Sequence, residues 1–399
     1  MPATTTLPQK AYRDLSPEEL EAALAANAEA LTGHFDERFL RNLALEIIEP
    51  LSWYFRPKFV GFDEMPERND PERPLIYACN HSGMAFPWDA IMLGAGLFHQ
   101  HNYELKKLFR PLSAPMLSAS RLMNPFQLRD LWKRVGALDA TSLNFETLMR
   151  QSETNVLIYP EGVPGIGKGF NRRYQLQPFS TSMIRMAIKY RTDIIGISCI
   201  NGEYINPMSL SFPWINRLVN KIGIPFLPMS IVTLLIPFQP WIFYMGFPAQ
   251  LTYVRGPRFK PYEMVGDKSW EEVDEADIRR VRDAVQVAMQ AEMDRCVGEY
   301  GQKPFHWRSL FQNLRKHWWD LPYWIPIGWP ALFTEYDRRY HSEPEPPRHI
   351  IRGWFRFWRI VWKNPIIIAY FIPILGWVPL FWRGLRGRKI VKPWEGPKG

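Results

Sequence analysis

The sequence predicts an α/β fold, in which short buried strands alternate with longer helices. Five apolar runs have the length of strands, and helical stretches separate them: FVGF (59–62), LIYACN (75–80), VLIYP (156–160), DIIGISC (193–199) and WIFYMG (241–246). Runs this apolar are typical of strands that are covered on both faces. The chain is also long enough, at 399 residues with 46% hydrophobic residues, to bury the core that such a sheet needs.

Residues 1–55 predict an N-terminal helical region. Ser16-Pro17-Glu18-Glu19 has the pattern of a capping box with proline at the first helical position, so we expect a helix from there to Leu31. A second, more apolar helix is expected from Asp36 to Phe55, with Pro50 kinking or ending it. The stretch before Ser16 has no apolar core, so no secretory signal is expected.

Residues 56–300 predict the α/β domain itself. Helical stretches follow its strands at AIMLGAGLF (90–98), SLNFETLMR (142–150) and STSMIRMAIKY (180–190). Ser269-Trp270-Glu271-Glu272 is expected to begin a long helix that closes the domain near Tyr300. The three cysteines are Cys79, Cys199 and Cys296, which lie far apart in sequence without CxxC spacing. This spacing favours a reducing compartment and predicts neither a disulfide nor a metal site.

Residues 301–399 differ in composition from the rest of the chain. They carry 17 Lys/Arg against 6 Asp/Glu, and they hold 11 of the 17 tryptophans. Basic residues interleaved with tryptophan suit either a nucleic acid or an anionic membrane interface. Composition alone does not choose between these two partners.

Stretches of low charge favour the membrane as the partner. Residues 204–254 contain only Arg217 and Lys221 as charged residues, and residues 364–382 contain none. The second run approaches the length of a spanning helix, but prolines interrupt it, so shallow, re-entrant and spanning placements all stay open. Residues 349–363 have the pattern of a basic, aromatic interfacial helix. We therefore expect residues 301–399 to bind membrane lipids at the cytoplasmic face. We expect no nucleic-acid partner, because the charges flank apolar runs rather than polar loops.

One motif is similar to a nucleotide-binding loop but lacks its metal ligand. Gly162 to Lys168 reads G-x-x-x-x-G-K and follows an apolar strand. Gly169 stands where such a loop needs a Ser or Thr for magnesium, and Pro164 removes one backbone N–H from the phosphate cradle. We therefore predict no nucleotide hydrolysis at this loop.

A catalytic signal lies at the end of the strand LIYACN, where the chain continues as NHSGMAFPWDA. A strand that delivers His81 into a loop with glycine and proline is a common way to expose a general base. Asp89, at the start of the next helix, could fix the tautomer of the imidazole. The spacing alone fits a structural interpretation equally well, in which His81 caps a turn and Asp89 caps a helix.

The order of these motifs resembles that of the phospholipid/glycerol acyltransferase family. NHSG followed by Asp, and YPEG about eighty residues later, correspond to two blocks of that family. FRPKFVGFDEMP is similar to the strand and turn that precede the first block. LWKRVGALDATSLNFETLMRQSETNVLIYPEG resembles the second and third blocks, DIIGISCINGE resembles the fourth, and the resemblance covers roughly residues 50–255. It implies a central mixed, mostly parallel sheet flanked by helices.

The resemblance also implies the roles of individual residues. His81 would deprotonate the acceptor hydroxyl, and Asp89 would orient the imidazole. Backbone N–H groups near Ser82 and Gly83 would stabilise the oxyanion. Glu161 and Gly162 would shape the acceptor site opposite His81. The substrate-binding set predicted on this basis is Asn80, Ser82, Gly83, Glu161, Gly162, Lys168, Arg172 and Arg173. No cofactor or metal is required, because acyl-CoA or acyl carrier protein enters as a co-substrate.

Departures from the family pattern bear on the acceptor. Seven residues separate His81 from Asp89, whereas the family usually has four. The arginine of the second block is absent from GALDATS, and Pro164 occupies the position of an arginine in the third. Three basic residues could supply the missing charge: Lys168, Arg172 and Arg173. An interpretation of these residues as a solvated surface cluster fits equally well. The acceptor is therefore predicted not to depend on a phosphomonoester held by the two usual arginines.

The sequence thus predicts a membrane-associated O-acyltransferase. It would move a fatty acyl group from acyl-CoA or acyl-ACP to a hydroxyl of a glycerolipid or related lipid. The alternative is a catalytically silent lipid-binding or membrane-scaffold protein that keeps the acyltransferase fold. The long spacing between His81 and Asp89 favours the alternative, whereas the intact NHSG and YPEG motifs favour the enzyme.

Overall fold

The structure, a computed structural model, contains one mixed, mostly parallel sheet flanked by helices, which confirms the predicted α/β fold. It describes residues 12–82, 86–115, 117, 123–128, 130–220, 229–342, 350 and 352–379. Within these residues seven strands form the sheet. Their bounds are Lys58–Val60 (β1), Ile76–Cys79 (β2), Phe109–Ser113 (β3), Leu138–Asp139 (β4), Asn155–Ile158 (β5), Ile194–Ile200 (β6) and Thr252–Phe259 (β7).

The strand order places the two motif-bearing strands side by side in the middle of the sheet. The order is β1-β7-β6-β2-β5-β3-β4, and β2 pairs in parallel with both β5 and β6. The antiparallel pairing in this sheet is that of β6 with β7. The carboxyl ends of β2, β5 and β6 therefore meet at one edge, where ligands bind in open α/β sheets.

Four of the five apolar runs are strands, but the prediction for residues 241–246 is wrong. There Pro240–Tyr244 forms a 3₁₀ helix, because Pro240 favours the first turn of a helix and Tyr244 packs into the core. The sequence did not predict three of the strands, β3, β4 and β7. Both β3 and β7 contain a proline and arginine, which break the apolar pattern expected of a buried strand.

Helices cover both faces of the sheet. Within the described residues their bounds are Pro17–His34, Glu37–Leu43, Glu49–Phe55, Trp88–Gln100, Leu131–Arg134, Ser142–Met149, Gly162–Ile166, Ser182–Lys189, Pro213–Asn220, Ile231–Leu235, Pro261–Met264, Glu275–Tyr300, Trp307–Lys316, Leu321–Trp324, Trp329–Ser342, Trp354–Lys363 and Ile366–Phe371. The capping box is present: the Glu19 N–H donates to Ser16 Oγ at 3.2 Å, and the Ser16 N–H donates to Glu19 Oε2 at 2.8 Å. A π-helical segment, Ala44–Ile48, precedes Pro50, whose missing N–H interrupts the α-helical hydrogen bonding.

Alternate residues along each central strand enter two separate cores. Tyr77 and Tyr159 belong to the core beneath the helices Glu37–Leu43, Glu49–Phe55 and Trp88–Gln100. Ile76 and Ile158 belong to the core beneath the helices Ser142–Met149, Ser182–Lys189 and Glu275–Tyr300. This alternation follows from the two-residue period of a strand.

The helices after residue 300 are part of the first of these cores. Trp324 and Trp329 are 1% and 0% exposed. Trp329 lies edge-on against Trp88, with ring centroids 4.9 Å apart. In the described residues up to 379, the predicted C-terminal region therefore packs together with the helices Glu37–Leu43 and Glu49–Phe55 on one face of the sheet. Within the same residues, no helix combines the length and the apolar character needed to cross a bilayer.

Candidate active site

The NHSG and YPEG motifs meet because of the register between β2 and β5. Ile76 lies opposite Val156 and Ala78 lies opposite Ile158. The same offset brings His81 level with Glu161 just beyond the carboxyl ends of the two strands. There the His81 backbone N–H donates a hydrogen bond to Glu161 Oε1 at 2.8 Å. The structure thus brings together the two motifs on which the sequence prediction depended.

Glu161 is a buried carboxylate that joins two loops. Its Oε2 atom accepts the backbone N–H of Gln177 at 2.7 Å, while Oε1 holds His81. Burial raises the pKa of the Glu161 carboxyl, although nearby Lys168 acts against that shift. Glu161 therefore lies beside the His81 backbone and organises the turn, rather than facing the imidazole across a gap. Gly162 is exposed and adopts a φ of +57°, a conformation that favours glycine.

Asn80 and Ser82 hold the His81 turn against β6. Asn80 accepts the Cys199 N–H at 2.6 Å and donates to the Cys199 carbonyl at 3.1 Å. Ser82 is 2% exposed and packs closely on Gly202, where an added Cβ would lie 2.6 Å from the Ser82 Cβ. Both side chains predicted to bind substrate are therefore engaged in supporting the turn.

The Asp89 carboxylate contacts Ser82 rather than the imidazole. Asp89 Oδ2 accepts the Ser82 N–H at 3.2 Å, and Oδ1 accepts the Ala90 N–H at 2.8 Å. Burial raises the pKa of Asp89, and the hydrogen bonds from Ser82 and Ala90 act against it. Among the described residues, no hydrogen bond joins the His81 ring to Asp89. Gly83, predicted to help bind the oxyanion, lies outside the described residues.

The imidazole of His81 is neutral at physiological pH. Its ring stacks on Tyr159, with centroids 4.4 Å apart and an interplanar angle of 22°. His81 as a whole residue is half-buried. Burial lowers the pKa of His81 to about 3, and the positive charge of Lys168 contributes to the shift. A neutral imidazole is the form that accepts a proton from a hydroxyl.

The three basic residues predicted near the site do not form one cluster. Lys168 points inward, with a fully buried side chain, and its Nζ lies 3.0 Å from Glu203 Oε1. Arg172 and Arg173 are exposed, and the Arg173 guanidinium lies 5.0 Å from the centre of the Phe170 ring. The sequence interpretation did not single out Glu203. The signal that could have identified it is its position shortly after β6, at the end of the block DIIGISCINGE.

The described residues contain no group of three His, Cys, Asp or Glu side chains arranged to hold a metal ion. The fold and the site define an α/β protein that presents a neutral histidine at the carboxyl edge of its sheet, held by a buried glutamate from the neighbouring strand. The family model described as Acyltransferase matches residues 57–211, which include both strands and both motifs. The match confirms the resemblance of this region to the phospholipid/glycerol acyltransferase family that the order of its motifs predicted, and it supports acyl transfer as the activity.

Relatives of the chain occur in mycobacteria. An uncharacterized protein of Mycobacterium bovis and one of Mycobacterium tuberculosis are each 27% identical over 239 residues, 57% of this chain and 62% of theirs. An uncharacterized protein of Mycobacterium leprae is 26% identical over 198 residues, 49% of either chain. The matches thus span less than two thirds of each relative.

Proposed function

We propose that this protein is a membrane-associated O-acyltransferase that moves a fatty acyl group from acyl-CoA or acyl-ACP to a hydroxyl of a glycerolipid or related lipid. The observation that supports it most is the hydrogen bond from the His81 N–H to Glu161 within the acyltransferase-family region. This bond holds the backbone of His81 at the sheet edge where ligands of α/β proteins bind.

In the proposed reaction, His81 acts as the general base. Its free ring nitrogen takes the proton of the acceptor hydroxyl while the hydroxyl oxygen attacks the thioester carbonyl. The carbon–sulfur bond then breaks, and the imidazolium returns the proton to the departing thiolate. The products are an ester and a free thiol, and His81 ends the cycle neutral.

Asp89 and Ser82 support this reaction indirectly. Because the Ser82 N–H donates to the Asp89 carboxylate, it is not directed at an oxyanion in this arrangement. We therefore assign Asp89 the role of holding the turn that follows His81, and Gly83 the proposed oxyanion contact. Neither Asp89 nor Ser82 is required to take up the proton.

The proposed acceptor lacks a phosphomonoester next to its reacting hydroxyl. Lys168 is already paired with Glu203 inside the protein, so its charge is not free to hold a phosphate. Arg172 and Arg173 lie on the surface, where solvent weakens their attraction for an anion. A neutral glyceride, a zwitterionic lysophospholipid or another lipid alcohol fits these charges better.

Exposed aromatic residues support membrane lipids as a partner. On the helix Trp354–Lys363, Phe355, Trp358 and Trp362 are 81%, 68% and 86% exposed and follow one stripe of the helix. Exposed Arg356 and Arg359 flank that stripe. Aromatic rings between cationic side chains are typical of helices that lie in the interface of an anionic membrane.

A second apolar surface comes from two segments far apart in sequence. The Ile374 N–H donates to the Phe238 carbonyl at 2.7 Å, and Trp377 Nε1 donates to the Pro237 carbonyl at 2.8 Å. Both segments expose large apolar side chains, including Phe238 at 57% and Ile374 at 64%. Contiguous exposed apolar surface marks an interaction site, and we propose that it contacts the cytoplasmic face of a membrane.

The proposed chemistry is tested by comparing two histidine variants. His81→Ala should lower acyl transfer by about 10²–10⁴-fold, the usual contribution of a general base. His99→Ala removes an exposed histidine on the helix Trp88–Gln100 and should keep full activity. The assay uses purified protein, labelled acyl-CoA or acyl-ACP, and a panel of lipid alcohols. Full activity of His81→Ala would overturn the mechanism.

The missing contact between Asp89 and the imidazole favours the alternative, a silent lipid-binding protein with the same fold. The same assay separates the two functions. Tight binding of lipid vesicles without turnover of any donor and acceptor pair would support the silent protein.

A further inference from the structure

We propose that Lys168 and Glu203 form a buried charge pair that positions the His81 turn and sets the electrostatic environment of its imidazole. This inference rests on the proposed function of His81 as a general base. Lys168 and Glu203 are positioning residues, because they act on the reaction through His81 and its turn. Their pairing also removes Lys168 from the set of residues able to hold an anionic acceptor.

The pair is buried and held by further hydrogen bonds. The side chains of Lys168 and Glu203 are 0% and 2% exposed, and Nζ lies 3.0 Å from Oε1. The same Glu203 oxygen accepts the Tyr174 N–H at 2.9 Å, and the Tyr174 hydroxyl donates to Asn201 Oδ1 at 2.8 Å. The segment that carries Lys168 is therefore bound at two points to the turn after β6.

Two glycines bring the segments of this pair against His81. A Cβ added at Gly165, three residues before Lys168, would lie 3.0 Å from the His81 Cβ. A Cβ added at Gly202, beside Glu203, would lie 2.6 Å from the Ser82 Cβ. Separations this short leave no room for a side chain. The pair thus joins the two segments that enclose the His81 turn.

Among the charged groups around His81, Lys168 is the one whose substitution should change the protonation of the imidazole. The titratable groups near the site are Cys79, Asp89, Tyr159, Glu161, Lys168, Cys199 and Glu203. Burial acts to lower the pKa of Lys168, but Glu203 and Glu161 outweigh it, so the ammonium stays charged. That charge disfavours a second positive charge on His81, so it keeps the imidazole neutral and lowers its strength as a base.

A phosphate acceptor would have to compete with Glu203 for Lys168. Breaking a buried ion pair leaves an uncompensated charge inside the protein, which is strongly unfavourable. A phosphate-ligand role would therefore predict acceptor-specific effects of mutation, whereas a positioning role predicts the same effect for every acceptor. This difference gives the two roles separate experimental outcomes.

The experiment uses the full chain with Lys168→Met, Glu203→Gln and the double variant, in which both charges are absent. Protonation of His81 is followed by NMR of ¹³C-labelled histidine, with the His81 signal assigned by its loss in His81→Gln. The kcat/KM of each variant is measured as a function of pH for neutral and phosphorylated acceptors. In Lys168→Met and in the double variant, the onset of His81 protonation should move to higher pH by on the order of one unit. In Glu203→Gln it should stay at or below its position in the unmodified protein.

The outcomes separate this inference from the proposed function. An unchanged His81 titration in a folded double variant would overturn the inference. If Lys168→Met alone fails to fold, the titration of His81 in the double variant still tests the inference. Loss of activity confined to phosphorylated acceptors would overturn it in favour of a phosphate-ligand role for Lys168. A shifted His81 titration in a protein without turnover would support the pair and overturn the acyltransferase proposal.

Discussion

At the scale of single residues, the His81 imidazole is neutral and held in place. It is neutral, because burial and Lys168 disfavour its protonation. It is also fixed in place, because its backbone N–H is bound to Glu161 and its ring stacks on Tyr159. The nearest carboxylate in sequence, Asp89, is directed at Ser82 instead. Position and burial, rather than a charged partner, therefore define the state of the imidazole.

This state predicts a pH dependence of stability. The pKa of His81 is about 3 in the folded protein, whereas an unfolded chain has an ordinary histidine pKa near 6.5. The unfolded state therefore binds more protons between these values, and stability falls as the pH drops below about 6.5. Urea unfolding at pH 7 and pH 5 should show that His81→Gln removes about 1–2 kcal/mol of this acid destabilisation.

The control for this measurement is His99→Gln. His99 is exposed, and its substitution removes a histidine without altering the surroundings of His81, so the acid destabilisation that depends on His81 should remain. Equal pH dependence of the unmodified protein and His81→Gln would contradict the prediction. Such a result would mean that the imidazole is protonated as easily in the folded state as in the unfolded chain.

At the scale of elements, the short helix Gly162–Ile166 depends on a glycine that touches the site. A Cβ at Gly165 would lie 2.6 Å from the Glu161 Cβ and 3.0 Å from the His81 Cβ. Gly165→Ala should therefore move the His81 turn, destabilise the protein by about 1–3 kcal/mol and lower activity. Thermal unfolding and the acyl-transfer assay measure the two effects.

The matched control is Gly298→Ala on the long helix Glu275–Tyr300. An added Cβ there has no atom within 4 Å, and Gly298 is exposed. Alanine favours a helix over glycine, so this variant should be as stable as the unmodified protein or more stable by up to about 1 kcal/mol. Equal behaviour of the two variants would show that the close contact at Gly165 has no functional consequence.

The helix Trp354–Lys363 has its own prediction, for membrane binding. Trp358→Ser with Trp362→Ser should reduce flotation with anionic vesicles, because both rings are exposed and neither supports the core. Binding should also weaken with added salt, since each basic residue near an anionic surface contributes about 1 kcal/mol. Thermal stability should stay unchanged.

Val287→Ser is the control for this surface. Val287 is 70% exposed on the helix Glu275–Tyr300, which covers the other face of the sheet. Its substitution removes exposed apolar area without touching the proposed membrane surface. A loss of flotation as large as that of the double tryptophan variant would refute the assignment of the surface.

At the scale of the whole molecule, the C-terminal helices serve both stability and the proposed membrane contact. Trp329 is fully buried against Trp88, whereas Trp362 is 86% exposed. Trp329→Ala should cost about 3–5 kcal/mol of unfolding free energy, because it leaves a large cavity. Trp362→Ala should change stability by at most about 0.5 kcal/mol. Ending the chain after Tyr300 should accordingly expose the core and cause aggregation. A soluble, folded truncation with normal stability would contradict this packing.

Much of the α/β domain could be predicted from sequence, because buried parallel strands have a local signature. The runs at β1, β2, β5 and β6 are apolar and end at polar or glycine-containing turns, so each was found. Strands β3 and β7 were not predicted, because prolines and arginines within them interrupt the apolar pattern of a buried strand. The prediction of a strand at residues 241–246 was wrong, because an apolar segment can be buried as a helix as well as a strand.

By itself, the sequence determined the α/β class and the two motifs at strand ends, since composition and local order are enough to recognise them. The tertiary structure alone decided that Lys168 pairs with Glu203, that Asp89 bonds to Ser82, and that Trp329 is buried while Trp362 is exposed. The physical reason is that these outcomes depend on which segments become neighbours. The pairing of β2 with β6 brings the Glu203 turn to the His81 turn, although more than one hundred residues separate them in the sequence. Local sequence patterns do not predict which strands pair.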